Sequence, residues 1–322
     1  MLDGERGPAL VRTLVEASRR YEAIVLNGDG RPLDEMAAAA LIARHRRPPH
    51  VIFADCAWGI EHSLRDRLAS RTAIRLIDGH RVHYCVHTRE HRSRFPEIWG
   101  VDQHRVHVTP YYYTLSEEEL GLPTERDGSV LAGGYSHRDF GPLVEASASQ
   151  RVSAPMTLAT RALSAEQCAQ LPPTVRAGEL PHDEFIASMR RASVVVVPLK
   201  DRSDRSAGEQ TYLNAMAMGK PVIVTDTMGV RDYVEHERTG LIVPPRSPKA
   251  LVDALEWMLH PRNETAVRVM GERARQVALA RFGPDNYVAG LLSVIDSVQK
   301  SRSRRFLREG GDRRASLKVT PR

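Results

Sequence analysis

Short apolar, β-branched runs alternate with helical stretches along this chain, and no other feature restricts its folds as much. A first series reads "EAIVLN" (22–27), "HVIFAD" (50–55), "HRVHYCV" (80–86) and "RVHVTP" (105–110), with "LDEMAAAALIARHR" as an amphipathic helix between the first two. A second reads "SVLAGG" (129–134), "PMTLAT" (155–160), "TVRAG" (174–178), "SVVVVPL" (193–199), "PVIVTD" (221–226) and "GLIVPP" (240–245), with helices after most of them. Strand and helix in alternation indicate parallel sheets covered on both faces. The fold class is therefore α/β, with two Rossmann-like parallel-sheet lobes of unequal size. The polar, turn-rich "TLSEEELGLPTERDG" separates the two series. The expected organisation is a reduced N-terminal lobe (1–115), a linker (116–128), a larger C-terminal lobe (129–299) and a tail (300–322).

Charge is concentrated in that tail. From Lys300 to Arg322 nine Lys or Arg stand against Glu309 and Asp312, a balance of +7; the whole chain is +6, so residues 1–299 carry −1. The near-neutral body offers no basic face for nucleic acid. The tail, poor in apolar residues, has the composition of a disordered segment, either simply solvated or lying on an anionic membrane surface. Cys56, Cys85 and Cys168 are far apart and lack the paired spacing of a zinc site or a disulfide framework. With no apolar run near 20 residues, the expected location is cytoplasmic, with peripheral attachment at the inner membrane surface as an option. The histidines of "DGHRVHYCVHTREH" alternate along a strand rather than converge, so no metal site is assigned.

Open parallel sheets bind ligands beyond the carboxyl ends of their strands. Two loops of the second series qualify. After "SVLA", Gly133 and Gly134 would let backbone approach a phosphate, with Arg138 at hand for charge-assisted hydrogen bonds; a plain tight turn is the other reading. After "SVVVVPL", the loop "KDRSDRSAGEQT" feeds a helix whose first turn offers Ser206, Gly208, Glu209, Gln210 and Thr211, either as caps or as partners for a bound polyol. In the first series Asp55 ends its strand, where it could orient or deprotonate a hydroxyl or cap the following turn.

From Val130 to Ile295 the motifs "LAGGYSHRDF", "AGELPHDEFIASMRRASVVVVPL", "GEQTYLNAMAMGKPVIVTD", "GVRDYVEHERTGLIVPP", "SPKALVDALEWML" and "RARQVALARFGPDNY" resemble, in order, the C-terminal half of a GT-B fold glycosyltransferase of the group 1 (GT4-like) family. The resemblance extends more loosely to "RPPHVIFADCAWG" and "HRVHYCVHTREHRSRFPEIWGVDQHRVHVTP" in a shortened N-terminal lobe. It implies transfer of a sugar from a nucleotide-sugar substrate to a glycan, lipid-linked or small-molecule acceptor, with no cofactor and no metal. It implies that the diphosphate lies at Gly133 and Gly134 beside Arg138, the nucleoside near Leu180, and the sugar and ribose at Ser206, Gly208, Gln210, Thr211 and Asn214. Glu209 and Asp55 complete the candidate catalytic set. The family's usual glutamate pair falls at Ser206 and Asn214, so a non-catalytic protein that binds a nucleotide sugar or a partner is the alternative.

Overall fold

The computed structural model describes residues 7–29, 33–59, 64–134, 136–201 and 204–315. They fall into two compact units: one takes the chain through Val86, Trp99–Thr109 and Val288 onward, the other His87–Ile98 and Pro110–Tyr287.

The first unit contains α1 (Gly7–Ala17), β1 (Ala23–Leu26), α2 (Leu33–Ile42), β2 (His50–Phe53), α3 (Leu64–Ile77), β3 (Val82–Val86) and β4 (Val106–Val108). Its strands form a parallel sheet in the order β1-β2-β3-β4. Every residue of β2 and β3 is buried, His50 and His83 included. Register brings one histidine from each of three strands to one face. His50 Nδ1 meets His83 Nε2 at 3.2 Å, and His83 Nδ1 meets His107 Nε2 at 3.1 Å. The rings form a row, and among the described residues no group of three His, Cys, Asp or Glu could hold a metal ion. Burial, and then the neighbouring His107, His50, Arg105 and His80, push His83 down to about 3. On the opposite face of β3, the Tyr84 hydroxyl donates to Asp78 (2.9 Å), which also accepts both terminal nitrogens of Arg105.

The second unit contains α4 (Arg89–Trp99), less its last residue, then α5 (Glu117–Gly121), β5 (Val130–Gly133), α6 (Gly141–Ser147), β6 (Met156–Ala159), α7 (Ala165–Ala169), β7 (Val175–Gly178) and α8 (His182–Arg191). It continues with β8 (Val194–Val197), α9 (Glu209–Ala217), β9 (Val222–Thr225), β10 (Gly240–Val243), α10 (Pro248–Leu259) and α11 (Glu264–Arg281). Its six parallel strands run β10-β9-β8-β5-β6-β7. The chain enters at mid-sheet, winds outward to β7, then returns to β8 and winds the other way. The order therefore reverses between β5 and β8, the switch point at which such sheets open a crevice. An apolar cluster covers each face: Leu131, Val195, Val197, Val222 and Val224 on one, Val130, Ala132, Val194, Val196 and Ile223 on the other. The segment 116–128 packs within this unit. Ser116 and Glu119 form a capping box on α5, and the buried Lys220 ammonium donates to the carbonyls of Glu125 and Ala192.

The last helix, α12 (Pro284–Ala315), differs from expectation in two ways. From Val288 it belongs to the first unit, where Val294 and Val298 cluster with Ile52 and Cys85, so the C-terminal lobe does not extend to 299. Helical backbone also passes Lys300 and reaches Ala315, because Arg, Leu and Glu are good helix formers and proline is absent until Pro321. Residues 316–322 of the expected tail lie outside the described residues. No helix among those described is long and apolar enough to cross a membrane.

An unfolded histidine titrates near 6.5, so proton uptake by His83 opposes folding. The stability it contributes is complete above about pH 6.5 and is lost as pH falls toward about 3. Urea unfolding followed by tryptophan fluorescence should show the parent losing up to roughly 1.4 kcal/mol per pH unit in that window through this one group. His83→Leu should flatten the slope; an unchanged slope would place the uptake elsewhere.

Candidate functional site

Both loops singled out in the sequence leave the sheet at the switch point of the second unit, one after β5 and the other after β8. They are laced together. Asp139 N–H donates to the Pro198 carbonyl (3.0 Å), Lys200 N–H to that of His137 (3.0 Å), and Arg138 pairs with Leu199 as an isolated antiparallel bridge. Leu199 N–H is anchored in turn on Thr225 Oγ1 at 3.0 Å. His137 adopts φ 57°, the left-handed turn that brings Arg138 back over the end of β5.

Arg138 is the centre of the arrangement. It is 7% exposed, and its guanidinium donates from Nε to the Gly133 carbonyl (2.9 Å), from Nη1 to the Ser136 carbonyl (2.7 Å) and from Nη2 to Thr211 Oγ1 (2.9 Å). Burial pulls it down to about 10, partly offset by the charge of Glu209, and it stays a cation at neutral pH. Gly134 has φ +110°, and a β-carbon there would lie 2.5 Å from Arg138 Nη2. Its glycine is thus required by the conformation and by the arginine. The place a side chain at 134 would take is occupied by Arg138. A β-carbon at Gly133 would stand 2.3 Å from the Phe185 ring of α8.

Across the switch point, Gly208 takes φ 88° as the N-terminal cap of α9, packed under Leu199 and Val197. Glu209 and Ser206 are 7% and 5% exposed, yet among the described residues Glu209 Oε1 and Ser206 Oγ have no hydrogen-bond partner. Buried polar atoms are nearly always paired, so two orphans three residues apart beside a buried cation mark a place built for something else. Arg205 reaches Ser136 Oγ from the same loop at 3.1 Å.

The other sequence-derived residues have different surroundings. Asn214 Oδ1 accepts Thr114 N–H (2.8 Å), and its Nδ2 donates to Thr114 Oγ1 (3.2 Å), the oxygen that also takes Gln210 Nε2 (2.9 Å). Both amides therefore hold the segment before α5. Leu180 packs against the apolar cluster of its sheet face. Asp55 belongs to the first unit, where Oδ1 accepts Ala57 N–H at 3.1 Å, the capping arrangement. Sequence reading did not single out Ser136, Arg205 or Phe185, although each lies inside a quoted motif, "LAGGYSHRDF", "KDRSDRSAGEQT" and "AGELPHDEFIASMRRASVVVVPL".

Residues 144–261 match the family model described as glycosyl transferases group 1. Over that stretch the chain resembles the family. It is 31% identical over 117 residues to the GDP-mannose-dependent alpha-(1-6)-phosphatidylinositol monomannoside mannosyltransferase of Mycobacterium tuberculosis, covering 35% of this chain and 30% of that protein. It is 26% identical over 247 residues to the D-inositol 3-phosphate glycosyltransferase of Xylanimonas cellulosilytica, covering 68% of this chain and 57% of that protein. The chain thus spans less than two thirds of the length of these relatives. Among solved structures it resembles Anabaena HepE in complex with UDP and glucose (TM-score 0.66, 15% identity, 90% of this chain and 81% of that one). It also resembles sucrose-phosphate synthase from Thermosynechococcus elongatus (TM-score 0.65, 19% identity, 91% and 79%). These likenesses show a GT-B fold: two parallel-sheet α/β domains, here of four and six strands.

The Arg138 network predicts specific coupling. Arg138→Lys keeps a charge but loses the planar fork, and should destabilise the protein by about 1.5–3 kcal/mol. Gly134→Ala, strained and abutting the guanidinium, should cost roughly 1–3 kcal/mol. Because both act through one side chain, the double variant measured by denaturant unfolding should lose clearly less than the sum; strict additivity would contradict the network.

Proposed function

We propose that the protein transfers a glycosyl group from a nucleotide-sugar donor to an acceptor, with the donor bound at the β5/β8 switch point of the second unit. The observation that carries this reading is the pair of orphaned buried oxygens, Glu209 Oε1 and Ser206 Oγ, beside the buried Arg138. A sugar hydroxyl donating to Glu209 and accepting from Ser206 would satisfy both. The UDP and UDP-glucose held by HepE, and the GDP-mannose dependence of the mycobacterial relative, support a nucleotide-sugar donor. In this reading the departing diphosphate lies over the turn after β5 and is stabilised by backbone N–H groups and the field of Arg138, whose own N–H groups also hold the turn in shape. Glu209 faces the developing positive charge of the sugar ring. The acceptor is a glycan, a lipid-linked sugar or a small molecule. The cations from Lys300 onward suit an anionic membrane surface at which a lipid-linked acceptor would be met. Three free thiols suit a reducing compartment such as the cytoplasm.

One observation favours the second reading, donor binding without turnover. Asn214 stands where the family resemblance places a glutamate, and both ends of its amide are engaged by Thr114.

Glu209→Gln separates the readings. Calorimetric titration with a panel of UDP- and GDP-sugars should reveal a donor for the parent, and the variant should bind it roughly 10- to 150-fold more weakly with its melting temperature little changed. Single-turnover assays with that donor should then show sugar release by the parent and none by the variant. Donor binding with no release by the parent would select the non-catalytic reading. Unchanged affinity in the variant would remove Glu209 from the site.

A further inference from the structure

At the other end of the same sheet, by the amino ends of β5, β6 and β7, a cavity of about 530 Å³ opens between the strands and α8. Its polar side chains come from separate elements. Thr157 of β6 and Arg176 of β7 are register partners and so project from one face; Ser188 and Arg191, a helical turn apart, come from α8 packed on that face. Ser129, Thr174 and Asp127 complete the polar lining. Asp127 Oδ1 accepts Ser129 N–H at 2.8 Å, and its own N–H is tied to the Arg191 carbonyl.

Arg176 and Arg191 make no side-chain hydrogen bond or ion pair among the described residues. Each alone has a bland explanation. A cation on an edge strand discourages strand addition, and one in the last turn of a helix complements its dipole. Neither explains why two unpaired guanidinium groups line one cavity with four hydroxyls. Like charges sharing a crevice repel, and a planar fork matches a phosphate better than it matches water. The volume lies in the ordinary range for small-molecule sites. Hydroxyl side chains and one carboxylate beside the cations suit a ligand that carries sugar hydroxyls as well as a phosphate.

We propose that this cavity binds a phosphorylated sugar, its phosphate between Arg176 and Arg191 and its hydroxyls toward Thr157, Ser188 and Asp127. The site lies beyond the amino ends of the strands, so it is distinct from the switch point and does not depend on the reading given to it.

The test is calorimetric titration of the full chain with glucose 6-phosphate, inorganic phosphate and glucose, using the parent and the double variant Arg176→Ser/Arg191→Ser. Both arginines are exposed, so the variant should fold as the parent does, checked by an equal melting temperature. The expected result is saturable binding of glucose 6-phosphate by the parent, at least tenfold tighter than inorganic phosphate or glucose, and at least tenfold weaker in the double variant. Three results would overturn it: no saturable binding by the parent, inorganic phosphate binding as tightly as the sugar phosphate, or affinity within twofold in the double variant, which would place the phosphate on other cations of the chain.

Discussion

A cation removed from water has to be surrounded by acceptors, and in the second unit that requirement fixes the geometry of everything near the switch point. Arg138 is nearly fully buried, with no carboxylate in ion-pair contact among the described residues. Its charge is distributed over two carbonyls, one hydroxyl and the field of Glu209. Each acceptor belongs to a different piece of chain: the end of β5, the turn after it, and the first turn of α9. Satisfying one guanidinium therefore sets the distance between two loops that sheet hydrogen bonds alone would leave free. The glycine at 134 follows from this, since the arginine occupies the place of any side chain there.

Much of the architecture could be read from residue order because it depends on local signals. Four successive valines in β8 and the alanine-rich α9 with Gly219 at its end identify themselves without reference to the rest of the chain. Strand order, domain membership and side-chain partners are non-local and were less legible. Thr114 and Asn214 are 100 positions apart, and no pattern around either indicates that they bond. The histidines looked like an alternating strand because that is their pattern in one chain segment; the row exists only once β2, β3 and β4 are in register. The two candidate loops were found because topology fixes where strand ends point. The partners of Asn214 and Gln210, both on Thr114, could not be read from those loops.

Sites meant for ligands tend to break the local rules that the rest of a structure obeys. Here the breach is narrow. Around α9, glycine, threonine, asparagine and glutamine all have identifiable structural duties, while one carboxylate oxygen and one hydroxyl have none. Leaving buried polar atoms unpaired is unfavourable, and a chain under selection for stability alone would have replaced them by apolar atoms of similar shape.

The path of α12 sets an order of events during synthesis. Val294 and Val298 close the face of the first sheet that carries Ile52 and Cys85, whereas the second unit ends at Tyr287. On the ribosome, the second unit has all of its residues before the first has its covering helix, although the first emerges earlier. The early half must therefore wait with Ile52 and Cys85 uncovered, a period in which a chaperone would find that face and a crowded neighbour could pair with it.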